Sequence, residues 1–115
     1  EVYTIEIIPI LAQRAKKILS ELGYKNIQVR CGDGYLGWTE HAPFDGIIIT
    51  CAPEKVPDSL IKQLAEGGRL VVPLGREGYT QILTLFEKVN GELKKDEIAP
   101  VIFVPMKGLI EKQKK

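Results

Sequence analysis

Hydrophobic and polar positions alternate between two periods along this chain. Val2-Tyr3-Thr4-Ile5 is a β-branched and aromatic run that ends at an acid, Glu6, and predicts a strand. Pro9 follows at a point where the first turn of a helix tolerates a missing N–H. Leu11, Ala15, Ile18 and Leu22 then recur at helical spacing, while Arg14, Lys16, Lys17 and Glu21 take the other faces. Gly23 supplies the left-handed residue that closes such a helix. Ile27-Gln28-Val29-Arg30-Cys31 is the next strand, and it runs into Gly32-Asp33-Gly34. Strand, helix and strand within about thirty residues predict a right-handed parallel crossover.

The pattern repeats. Residues 44–50, with Ile47-Ile48-Ile49, predict a parallel strand buried on both faces. A loop holding Pro53 and Pro57 leads to a helix over 58–64, with Leu60, Ile61 and Leu64 on one side. Gly67-Gly68 is expected to end that helix, and 70–74 gives another strand. Beyond Gly75 the period becomes two. Residues 81–89, the turn Asn90-Gly91, and 92–104 predict a long antiparallel hairpin, because Asn-Gly supplies the positive φ angles of its turn. Alternating βα units followed by an antiparallel edge argue for an open, doubly wound α/β sheet.

Composition narrows the classes. A chain of 115 residues is one domain, able to bury about two-thirds of its unfolded surface. Sixteen Lys and Arg against fifteen Asp and Glu leave a net charge of +1, which argues against a dedicated nucleic-acid or anionic-membrane binder. No apolar run approaches the ~18 residues of a membrane-spanning helix, and no secretory signal precedes the first residue. Two cysteines are too few for a disulfide scaffold and lack metal-ligand spacing. The expectation is a soluble cytoplasmic domain over 1–106 with a polar tail over 107–115.

Ligands of open parallel sheets sit at the carboxyl ends of the strands. Three places qualify. Glu6 closes the opening strand, where a carboxylate can accept both hydroxyl hydrogens of a ribose; a solvated strand-end acid is the plainer reading. In Gly32-Asp33-Gly34 the glycines admit a flat ring and Asp33 can accept from an exocyclic amine, although the same tripeptide makes a good turn. Thr50-Cys51-Ala52-Pro53 follows the central strand and could floor a ligand or serve as an ordinary loop. Cys51 has no histidine nearby in sequence and reads as a small buried thiol rather than a nucleophile. His41, the only histidine, reads as part of a surface turn rather than as a general base.

Taken in order, Val2-Tyr3-Thr4-Ile5-Glu6, Gly32-Asp33-Gly34-Tyr35, Glu40-His41-Ala42-Pro43-Phe44-Asp45-Gly46-Ile47-Ile48 with Ala52-Pro53, Leu64-Ala65-Glu66-Gly67-Gly68-Arg69-Leu70-Val71-Val72-Pro73-Leu74-Gly75 and Val101-Ile102-Phe103-Val104-Pro105-Met106 form a specific series. The series resembles the protein-L-isoaspartate (D-aspartate) O-methyltransferase family over essentially the whole chain. The resemblance implies a repair enzyme that methylates the free α-carboxylate of isoaspartyl residues in damaged proteins and peptides. Its methyl donor would be S-adenosylmethionine, leaving S-adenosylhomocysteine. By that likeness Glu6, with Ile7 beside it, holds the cofactor ribose, and Gly32, Asp33 and Gly34 border the adenine. Thr50, Ala52 and Pro53 would lie by the substrate carboxylate, and Val104 and Pro105 would flank the peptide. No catalytic residue and no metal is implied, since an α-carboxyl of pKa ~3.5 is already ionised at neutral pH.

Two parts of the family pattern are missing from these residues: an earlier strand with a glycine-rich turn, and a hydroxyl-bearing substrate loop before it. The expected architecture is therefore a partial Rossmann-like class I methyltransferase sheet, mainly parallel with a C-terminal antiparallel hairpin. Its first central strand, between the opening strand and Ile47-Ile48-Ile49, would be lacking. Such a chain should be inactive alone, and its open strand edges should drive self-association or pairing with the missing N-terminal segment. Cys31 and Cys51 would stand roughly ~14 Å apart, too far for a disulfide. Two alternatives compete: another S-adenosylmethionine-dependent methyltransferase acting on a small molecule, and a non-catalytic Rossmann-type nucleotide-binding module, since a ribose acid serves NAD equally well.

Overall fold

The computed structural model describes residues 1–76 and 78–108. Strand β1 (Val2–Glu6), helix α1 (Pro9–Glu21) and strand β2 (Ile27–Cys31) form the expected crossover. The two strands pair in parallel, from Val2 opposite Ile27 to Glu6 opposite Cys31. Pro9 stands in the first turn of α1. Gly23, at φ +85°, ends the helix in the left-handed region, and its N–H donates to Ser20 O at 3.0 Å.

The remaining strands make a second sheet, in the order β3 (Phe44–Ile48), β4 (Leu64–Leu74), β5 (Gln81–Val89), β6 (Glu92–Val101). β3 and β4 are parallel, whereas β5 and β6 add to β4 as an antiparallel hairpin. Asn90 (φ 52°) and Gly91 (φ 79°) both take positive φ at its turn, as their sequence requires. Helix α2 (Asp58–Gln63) connects β3 to β4. The doubly wound sheet is thus divided: β1 and β2 form one piece, β3 to β6 another, and the unpaired edges of β1 and β3 flank a gap.

Several expectations are corrected by this division. β3 stops at Ile48 and is not buried on both faces; Ile48 is 75% exposed, because the edge it would present to a neighbouring strand is open. The stripe of α1 is also largely uncovered: Leu11, Ile18 and Leu22 are exposed, and Ala12 alone is buried in the β1–α1–β2 unit. The core lies instead in the larger sheet, where Ile49, Val56, Leu60, Leu64, Leu70, Val72 and Phe86 pack together.

Gly67 and Gly68 do not end α2. They lie inside β4, which begins at Leu64, directly after the helix. The register there jumps from Phe44 opposite Leu64 to Gly46 opposite Arg69, so β4 must bulge. Gly67 takes φ +79°, and a Cβ on Gly68 would stand 2.8 Å from Ala65 O and 3.0 Å from Asp45 O. Only glycine fits that crossing. β6 ends at Val101 rather than at 104, and residues 102–106 peel away from the ladder towards the loop after β3. Of the expected polar tail, Lys107 and Gly108 are described and the rest lies outside the described residues.

Candidate functional site at the carboxyl ends of the strands

The parallel register of β1 and β2 brings their carboxyl ends together. Gly32 N–H donates to Glu6 O at 3.0 Å, which places Glu6 and Ile7 beside Gly32-Asp33-Gly34. The half-buried Glu6 carboxylate accepts from Ile7 N–H through Oε2 at 2.8 Å. Asp33 Oδ1 accepts from Tyr35 N–H at 2.9 Å and so caps a short 3-10 turn, Gly34–Leu36. The tripeptide thus makes the turn that its sequence favours. A Cβ on Gly34 would lie 3.7 Å from Met106 Cε, within ordinary contact.

The second wall is built from two segments that meet in a parallel bridge. Ala52 N–H donates to Val104 O at 2.7 Å, and Met106 N–H donates back to Ala52 O at 3.3 Å, with Pro105 opposite Ala52. Pro53 O accepts from Gly75 N–H at 3.2 Å. Ala52 and Pro53 are buried, whereas Thr50 is exposed and Val104 is 70% exposed. The two walls touch through Tyr35, Met106 and Cys51, which pack as a small cluster.

Burial pushes the Cys51 thiol above its usual value, and the Glu6 carboxylate adds to the rise. The thiol is therefore neutral near pH 7, consistent with a small packing group rather than a nucleophile. Both cysteines are free. Among the described residues no group of three His, Cys, Asp or Glu is placed to hold a metal, and no helix is long and apolar enough to cross a membrane.

Between the walls and the open strand edges lies a cavity of about 690 Å³. It is bordered by Val2 to Ile5 on one side and Ile47 to Ile49 on the other, with Gly34, Thr50, Cys51 and Met106 at its carboxyl end. Its opposite end holds a cluster that sequence reasoning missed. Tyr3 stacks on His41 with ring centres 4.2 Å apart, and meets Trp38 and Phe44 edge-on at 5.5 and 5.8 Å. The Arg30 guanidinium covers Trp38 at 5.4 Å. His41 is thus a half-buried packing partner, not simply part of a surface turn. The spacing Trp38, His41, Phe44 carried that signal, three residues apart through a tight turn. Buried Gln63 fixes the same loop, accepting from Trp38 N–H at 2.9 Å and donating to Leu36 O at 3.0 Å.

An acid and a Gly-Asp-Gly turn at the ends of parallel strands, facing a loop at the end of a third, define part of a Rossmann-like α/β fold of the class I methyltransferase type. The family model described as protein-L-isoaspartate (D-aspartate) O-methyltransferase matches residues 1–111, and the chain belongs to that family. It is 51% identical over 106 residues to a protein-L-isoaspartate O-methyltransferase of Gloeobacter violaceus, covering 92% of this chain and 52% of that protein. It is 54% identical over 108 residues to one of Alkalilimnicola ehrlichii, covering 94% of this chain and 49% of that protein. The chain therefore spans about half the length of the curated relatives it matches. Among solved structures, a protein-L-isoaspartate O-methyltransferase superposes with a TM-score of 0.89 at 32% identity, over 95% of this chain and 35% of that one. A Plasmodium falciparum chain assigned to the same class, solved in complex with S-adenosyl-L-homocysteine, superposes with a TM-score of 0.80 at 27% identity, over 92% of this chain and 52% of that one.

Proposed function

We propose that residues 1–106 are the C-terminal portion of a protein repair methyltransferase. Joined to the segment that precedes them in their relatives, they would transfer a methyl group from S-adenosylmethionine to the free α-carboxylate of L-isoaspartyl or D-aspartyl residues in proteins. The observation that carries this reading is the convergence of Glu6, the Gly32-Asp33-Gly34 turn and the Ala52–Pro105 bridge at one end of the gap.

The residues fit the nucleotide part of such a donor. Glu6 engages Ile7 N–H through one oxygen, which leaves Oε1 for ribose hydroxyls. Gly32, Asp33 and Gly34 would border the adenine, the two glycines presenting bare backbone on either side of Asp33. The donor supplies an electrophilic methyl on a sulfonium. An ionised substrate carboxylate oxygen would take that methyl, the carbon–sulfur bond giving its electron pair to a departing neutral thioether. No proton moves. The protein therefore needs no general base, only alignment and exclusion of water. Thr50, Ala52 and Pro53 would form the floor beneath the substrate carboxylate, and the exposed Val104 with Pro105 would flank the peptide.

The open edges of β1 and β3 are the place for the preceding segment. A strand inserted between them would join the two sheets and bring the rest of the cofactor cradle to Glu6. Without it the chain should be inactive, or associate with a second copy through the same edges. Two free cysteines suit a reducing, cytoplasmic setting.

Thermal unfolding of the complete polypeptide with S-adenosylhomocysteine or NAD tests the cofactor, since only a ligand of the native state raises the melting point. A rise with the former alone, together with methyl transfer to an isoaspartyl peptide, is expected. A rise with NAD alone would favour a non-catalytic nucleotide-binding module, and methylation of small molecules only would favour the other alternative.

A further inference from the structure

We propose that Gln81 is the positioning residue of the peptide-facing wall: its buried amide grips the backbone of Phe103 and thereby sets where Val104 and Pro105 meet Ala52. This inference rests on the reading of Val104 and Pro105 as the residues that flank the substrate peptide.

The ladder between β5 and β6 ends with Gln81 opposite Val101. Past that point the chain has no strand partner until it reaches Ala52. The Gln81 side chain supplies the missing rung. Its Oε1 accepts from Phe103 N–H at 2.7 Å, while Nε2 donates to Tyr79 O at 3.1 Å and Phe103 O at 3.4 Å. One side-chain amide thus stands in for a neighbouring peptide group, accepting and donating in one plane. The residue is 4% exposed, so this pairing is shielded from competing water.

Gln81 also reaches the other half of the wall. A Cβ on Gly75 would stand 2.9 Å from both Cα and Cγ of Gln81, so the glycine lies flat against its stem. Gly75 N–H is the group that donates to Pro53 O. Phe103 is followed by Val104, whose backbone oxygen, with Met106 N–H, clamps Ala52 opposite Pro105. Short backbone links therefore run from Gln81 to Pro53 on one side and to Val104 and Pro105 on the other. Gln81 itself does not border the cavity, and Glu6 and Asp33 hang from the other sheet. Its influence belongs to the peptide and not to the nucleotide.

The experiment uses the complete polypeptide and two substitutions. Gln81→Glu keeps the acceptor for Phe103 N–H but turns a carboxylate oxygen towards two carbonyl oxygens. Gln81→Met keeps the bulk and loses all three hydrogen bonds. Each is expected to raise KM for an isoaspartyl peptide by about tenfold, with the dissociation constant of S-adenosylhomocysteine within about twofold of wild type. An unchanged peptide KM would overturn the proposal. So would a parallel loss of nucleotide affinity, which would mean a merely structural role. Hydrogen exchange in the wild-type protein gives a reading independent of activity and of variant folding. Slow exchange at the Phe103 amide, beyond the end of the ladder, is expected, and exchange at the rate of an exposed amide would refute the grip. A wild-type protein that exchanges slowly there yet methylates no isoaspartyl peptide would instead count against the proposed function.

Discussion

The proposed function leans most on a single carboxylate. Glu6 ends β1, accepts from Gly32 N–H through its backbone oxygen, and accepts from Ile7 N–H through Oε2, which in the proposed function leaves Oε1 for the ribose. In the complete polypeptide, Glu6→Gln retains an acceptor for Ile7 and should fold normally. It loses the charge that strengthens hydrogen bonds from ribose hydroxyls, a difference of about 1.5–3 kcal/mol. Titration calorimetry should therefore show S-adenosylhomocysteine binding weakened by about tenfold to a hundredfold. Unchanged affinity would remove Glu6 from the ribose site. This acid could be read from sequence because a strand ending in a carboxylate is a local pattern. Gln63 and Gln81 could not be. Their partners lie in remote parts of the chain, at Trp38 and Phe103, and nothing in the spacing of a lone glutamine announces a backbone grip.

Element boundaries were legible wherever the signal was local. The β1–α1–β2 crossover, the Gly23 cap and the Asn90-Gly91 hairpin follow from period and turn chemistry, and each stands where that chemistry puts it. The glycine pair at 67–68 misleads for a physical reason. A glycine after a helical pattern reads as a cap, but here the pair serves a bulge where β4 crosses β3 near Asp45. The bulge gives a sharp expectation for Gly68→Ala. The new methyl would meet two backbone oxygens, which cannot yield as a side-chain end would, so overpacking should cost about 1–3 kcal/mol. Thermal unfolding of the complete polypeptide should register a drop of several degrees. Gly91→Ala, where no atom lies within 4 Å but φ is +79°, should cost less, about 1 kcal/mol. Gly68 has no positive φ, so a loss there smaller than at Gly91 would mean that the crossing is not tight.

At the scale of the molecule, the division into two sheets makes stability uneven. Every member of the main buried cluster lies between Ile49 and Phe86, while β1, α1 and β2 together bury only Ala12. A two-stranded sheet with one helix is marginal in water without a further surface to pack on. What holds it to the rest is the aromatic cluster around Tyr3 at one end and the Tyr35–Met106–Cys51 contact at the other. Sequence patterning alone could not expose this imbalance, because the stripe Leu11, Ile18, Leu22 looks like any core-facing helix face until its partner is seen to be missing. Hydrogen exchange of the 115-residue chain should consequently separate the halves. Amides of β4 and β5 should exchange slowest, and those of β1 and β2 should exchange through local opening at much lower free energy. Adding the preceding segment should protect β1 and β3 together, since one inserted strand would pair with both edges. If β1 and β2 were as protected as β4 and β5 in the chain alone, the gap would not be an open seam. If the added segment protected β3 but left β1 unchanged, the segment would dock elsewhere than between the sheets.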